Sequence, residues 1–110
     1  MAYDEQLAAR IRELLGTDRS VQEKKMFGGL AFLVGGNMAI AASGQGGAMV
    51  RVDPAESDKL VARQGVEMVV MRGRAMPGWL RVEATQLRTP AQLAEWVKRG
   101  TAYAGSLPAK

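Results

Sequence analysis

Three short apolar runs, Leu30 to Val34, Met38 to Ala42 and Ala48 to Val52, follow one another closely in this chain. Only Gly35-Gly36-Asn37 and Ser43-Gly44-Gln45-Gly46-Gly47 separate them. Glycine and asparagine tolerate the positive φ that a tight hairpin turn requires, so the separators read as turns and the runs as strands. Within the third run Ala48, Val50 and Val52 point one way while Met49 and Arg51 point the other, the period of a pleated strand. Strands joined this tightly form an antiparallel meander. Val21 to Met26 reads as a further short strand ahead of it.

Helical spacing appears on either side. In Asp4 to Leu15 the apolar residues Leu7, Ile11, Leu14 and Leu15 fall on one helical face, with Asp4 placed to cap the start, Glu5 at the positive end of the dipole and Gly16 to stop it. Asp53-Pro54-Ala55-Glu56 carries a cap, a proline at the first helical position and an acid able to complete a capping box. Leu60 and Val61 give that helix a small apolar face, and Gly65 ends it. Glu67 to Met71 and Trp79 to Glu83 read as two more strands, joined by a polar loop from Arg72 to Gly78. Thr89-Pro90-Ala91-Gln92 repeats the cap-plus-proline signal before Leu93, Trp96 and Val97. The order α-β(3)-α-β(2)-α predicts an α+β fold, a two-layer sandwich with helices packed on one face of an antiparallel sheet.

The glycine pairs could instead suggest a phosphate-gripping loop. Such a loop leads into a helix N-terminus and, in its commonest form, a lysine follows the last glycine. Here Gly28-Gly29 and Gly44-Gln45-Gly46 both open strands, so the turn reading prevails. The chain contains no cysteine and no histidine. Disulfides, thiolate metal sites and Ser-His or Cys-His catalysis within one chain are therefore excluded. No D-x-D-x-D-type loop offers an all-oxygen metal site, and no cofactor or metal is expected. With 47% hydrophobic residues among 110, one folded domain over residues 1–110 is predicted. Seven methionines supplement the few aromatics as core filler. The N-terminus is acidic rather than signal-like, and glycines interrupt the longest apolar stretch, so a cytoplasmic protein that does not enter the membrane is expected.

Charge is unevenly spread. Residues 1–58 carry eight acidic and six basic side chains, residues 59–110 three acidic and nine basic, for a net +4. A basic second half can meet an acidic partner. Lys24, Lys25, Arg72, Arg74, Arg81 and Arg88 are the basic candidates for partner or nucleic-acid contact. Among them Arg72 and Arg74 have guanidinium forks suited to phosphate oxygens. Of the aromatics, helical or strand spacing assigns Phe32 and Trp96 to the core. Phe27 could line a groove, and Trp79 is expected at a sheet edge, suited to a protein contact. Glu67 and Glu83 are the nearest approach to paired carboxylates, and opposed surface charges account for them equally well.

Four landmarks occur in order: Lys25-Met26-Phe27-Gly28-Gly29, Gly36-Asn37-Met38, Arg51-Val52-Asp53 and Trp96-Val97. Through them, over about residues 21–107, the chain resembles the TfoX/Sxy N-terminal domain family, named for bacterial regulators of natural competence. The resemblance implies the α-β(3)-α-β(2)-α fold, similar to type III secretion chaperones, and carries over no catalytic residues. Full-length competence regulators of this kind are described as transcriptional co-activators that carry a second, C-terminal helical domain. This chain, read to Lys110, is expected to be a stand-alone N-terminal domain. The expected function is a non-enzymatic interaction module, a transcription-related regulator or adaptor that binds a protein partner. Weak, nonspecific nucleic-acid binding through the basic half is the alternative, and a small-ligand sensor a third. Homodimerisation through a sheet edge is open to any such sheet.

Overall fold

A computed structural model describes residues 3–16, 21–26 and 28–109. Among these residues three α-helices, α1 (Glu5–Leu15), α2 (Ser57–Val61) and α3 (Pro90–Ser106), accompany six strands. These are β1 (Val21–Met26), β2 (Gly29–Val34), β3 (Asn37–Ala42), β4 (Ala48–Arg51), β5 (Val66–Met71) and β6 (Arg74–Val82). They form one sheet in the order β1-β2-β3-β4-β6-β5, with every neighbouring pair antiparallel. The α+β architecture and the alternation of helices with strand groups agree with the sequence. Val21–Met26 pairs along its whole length with β2, so four strands precede α2.

The helices start and stop where the local chemistry provides for it. Asp4 Oδ1 accepts the Gln6 and Leu7 N–H groups at 2.9 and 3.1 Å. At α3, Thr89 Oγ1 accepts from Gln92 N while Thr89 N donates to Gln92 Oε1, a complete capping box. The Asp53 signal acts differently. Its carboxylate accepts from Ala55 N at 2.9 Å and opens a 3-10 turn over Pro54–Glu56, and α2 begins only at Ser57. Glu56 forms no capping box; it lies 3.8 Å from Arg99 of α3 instead.

The principal core lies between the helices and one sheet face. It contains Leu7 and Ile11 of α1, Phe32, Ile40, Val50 and Leu80 of the sheet, Leu60 of α2 and Trp96 of α3. α3 runs directly over β3, and Gly100 makes that approach possible: a Cβ there would stand 2.3 Å from the Ala39 carbonyl oxygen. A bulge between Phe32 and Leu33 in the β2–β3 pairing falls at this crossing.

The loop predicted over Arg72 to Gly78 contracts to a two-residue turn, Arg72-Gly73, and β6 already begins at Arg74. Both turn residues have positive φ, 53° and 77°, as a type I′ hairpin demands. Arginine rarely supplies that conformation, which hid the hairpin in the sequence. Pro77 and Gly78, which suggested a loop, lie within β6 where its register with β5 shifts, so the missing proline N–H breaks no bond in that ladder. Gly78 N donates to the buried Ser57 Oγ at 2.5 Å.

Candidate functional site

Strand alternation gives the sheet a second face, and among the described residues no helix residue joins the apolar cluster on it. Ala31, Leu33, Met38 and Ala41 are buried there, with Met26, Met49 and Trp79 half-buried around them. The pairing registers trace one continuous row across all six strands: Lys24, Ala31, Ala41, Met49, Arg81, Glu67. A second row sets Arg51 beside Trp79. The face therefore has a buried floor of alanine, leucine and methionine, the half-buried Met26, Met49 and Trp79 over it and a cationic border. Methionine surfaces of this kind adapt to a partner's shape.

Of the basic residues singled out from the sequence, this face gathers Lys24, Arg74 and Arg81. Arg74 joins by its pairing with Met71. Arg81 is half-buried and donates through Nη1 to Gln45 Oε1. Arg72 occupies the exposed hairpin turn that leads into Arg74. Lys25 alternates to the helix-bearing side, opposite Leu30. Arg88 lies on the approach to α3, where its carbonyl oxygen accepts from Arg10 Nη2 at 3.1 Å. Neither belongs to the face. Trp79 sits in an interior strand between β4 and β5, not at an edge as expected, because the hairpin continues past it. Phe32 and Trp96 are in the core at 1% exposure each, and Phe27 lies outside the described residues.

Arg51 was not among the sequence candidates. Its guanidinium carbon stands 4.8 Å from the Trp79 ring centroid and 5.6 Å from that of Tyr103 in α3. Half-buried cation–π contacts of this kind are worth on the order of 1 kcal/mol. The signal was present, since alternation already placed Arg51 beside Met49 on the side away from Val50. The partner ring, 28 residues later in sequence, was not visible.

Other features do less. Glu67 and Glu83 line one small cleft together with Arg81. A larger cleft of about 500 Å³ lies between the exit of β4 and α3, lined by Asp53, Glu56, Glu95, Lys98, Arg99 and Tyr103 among others. Several of its charges are already committed to one another: Glu95 accepts from Arg99 Nε at 3.0 Å and from both Arg63 terminal nitrogens at 2.7 and 3.1 Å. The Arg63 hydrogen bond foremost, then that of Arg99, holds the Glu95 carboxyl down at about 2 despite partial burial. In the glycine loop after β3, Ser43 N donates to Gly47 O, Gly46 N to Ser43 O and Gln45 N to Ser43 Oγ. Those amides close the turn and are not directed at an anion. Among the described residues no group of three acidic side chains is gathered for a metal, and no helix is long and apolar enough to cross a membrane.

The molecule is thus a single-sheet α+β protein with one face covered by helices and the other bearing an apolar patch edged by cations. The sequence model of the TfoX N-terminal domain matches residues 13–104, most of the chain, and the chain belongs to that family. No curated protein and no solved structure matches it significantly. The landmarks of the resemblance acquire physical reasons. Gly29 opens β2 where a Cβ would meet the Ala42 carbonyl oxygen at 2.1 Å. Asn37 Nδ2 donates to Pro108 O at 3.0 Å, tying the β2–β3 turn to the chain beyond α3. Trp96 and Val97 fill the core.

Proposed function

We propose that the protein is a non-enzymatic adaptor of the competence-regulator type, related to transcriptional control, that docks an acidic protein segment on its helix-free sheet face. The single observation carrying this reading is the apolar patch around Met26, Met49 and Trp79, bordered by Lys24, Arg51, Arg74 and Arg81 with Glu67 the one acid in its central row. Interface cores are enriched in Trp, Met and Arg, and charge complementarity selects the partner. An amphipathic segment with apolar anchors and flanking carboxylates fits this border.

The test is photo-crosslinking from residue 49, combined with capture at near-physiological salt. A partner held this way crosslinks at Met49 and not at Lys59 within α2, and Trp79→Glu abolishes its capture. Equal capture by wild type and Trp79→Glu would refute the docking face.

One observation favours a second reading, nucleic-acid binding: Arg72 and Arg74 stand exposed at a hairpin tip, without ion-pair partners among the described residues. Against base stacking, the Arg51 guanidinium already lies over the Trp79 ring. Binding of this kind would be to phosphate and salt-dependent. About four contacts give a log–log slope near −3.6, reduced by about one unit for each arginine removed.

A further inference from the structure

The two edges of the sheet are guarded very differently. β1 presents Gln22, Glu23, Lys24 and Lys25, all exposed, the charged composition that discourages strand addition. The outer strand at the other end, β5, reads Val-Glu-Met-Val-Val-Met. Val70 is 63% exposed and Met71 38%, two of the three large hydrophobic residues exposed among the described residues. No proline interrupts the strand, and its single charge is Glu67.

We propose that two copies of the chain pair through β5, antiparallel about a two-fold axis at Val69, joining two six-stranded sheets into one. Cross-strand partners in an antiparallel pair share a sheet face, so a two-fold pairing must put a residue on the axis. With Val69 there, Met68 meets Val70 of the second copy and Glu67 meets Met71, so both exposed apolar residues are covered. Centring on Met68 would leave Met71 uncovered, and centring on Val70 would pair only three strand residues.

Charge selects the same orientation. The hairpin end carries Arg72 and Arg74, and the opposite end of β5 carries Glu67. Antiparallel pairing brings the Glu67 end of each copy to the arginine end of the other. It keeps the two arginine pairs roughly 20 Å apart, beyond the screening length of about 8 Å at physiological salt. Because β1 is charged, the association closes as a dimer and does not propagate edge to edge. The axis stands perpendicular to the sheet, so both helix-free faces emerge on one side. The pairing does not depend on what docks there.

Sedimentation equilibrium of the full chain from micromolar to millimolar concentration should show the average mass rising from one chain toward two and stopping there. Val70→Lys should weaken the association by at least about tenfold, since the change enters a two-fold interface twice. Leu14→Lys, at the exposed apolar residue of α1, should leave it unchanged. The chain has no cysteine, so Val69→Cys alone should yield a disulfide-linked dimer on mild oxidation, whereas Gln22→Cys on β1 should not. A single-chain mass at every concentration, assembly beyond two chains, or a dimer indifferent to Val70→Lys would each overturn the proposal. So would crosslinking of Gln22→Cys in preference to Val69→Cys.

Discussion

Arg72 holds φ at 53°, a conformation that costs an L-residue with a full side chain about 1 kcal/mol or more. Asparagine adopts it readily, so Arg72→Asn should raise the unfolding free energy by up to about 1 kcal/mol in denaturant titration. Gly100 presents the opposite case, a backbone with ordinary φ but no space. A methyl group on its Cα would stand 2.3 Å from the Ala39 carbonyl oxygen, so Gly100→Ala must push α3 off β3. A loss of about 1–3 kcal/mol is expected, read as a lower denaturation midpoint. Glu95 supplies the pH dependence. Its folded value of about 2 lies below the ordinary 4.5, so its contribution is complete above the unfolded value and disappears as pH falls from about 4.5 toward 2. The carboxylate is 37% exposed and its arginine partners are comparably open, so solvent screening limits the effect to about 1 kcal/mol. Glu95→Gln should remove that portion of the acid-induced loss of stability, measured by thermal melts across the window.

At the scale of elements, local chemistry and long-range pairing divided the outcome. The cap at Thr89, with Pro90 and Gln92, specified the start of α3 because every participant lies within one turn. Thr89→Ala should cost about 1 kcal/mol, with far-UV circular dichroism at the melting midpoint as the measure. The cap at Asp53 was equally legible, yet it delivered a 3-10 turn because Ser57 is drawn inward by Gly78, 21 residues later in sequence. The β5–β6 hairpin is the element least legible in the sequence. Proline and glycine within β6 resemble loop signals, and only pairing with β4 on the other side keeps Trp79 in the sheet. The meander from β2 to β4 was fully legible, since its glycine turns and apolar runs need nothing beyond themselves.

The whole molecule is defined by unequal coverage. One face of the sheet is sealed by α1, α2 and α3 around Trp96; the other carries its own small apolar cluster with no helix in it among the described residues. Ion pairs fasten the margins: Arg12 to Glu23 at 2.5 and 2.7 Å ties α1 to β1 across the layers, and Arg63 to Glu95 ties the end of α2 to α3 within the helix layer. The candidate face was half legible. Composition and position point to Lys24, Arg74, Arg81 and Trp79, while Lys25 and Arg88 lie elsewhere and Arg51 joins the face without having been a candidate. Residue type alone does not say which side of a sheet a charge occupies until register is known.

The sequence by itself determined the helices with local caps, the glycine-turned meander and hence the α+β class, because those depend on interactions spanning a few residues. Tertiary structure alone decided that β6 would lie between β4 and β5, that Arg51 would rest between Trp79 and Tyr103, and that a methionine-rich face would remain without a helix. Each of those outcomes follows from pairing between segments distant in sequence, where one residue of register moves a side chain from the core to the opposite face.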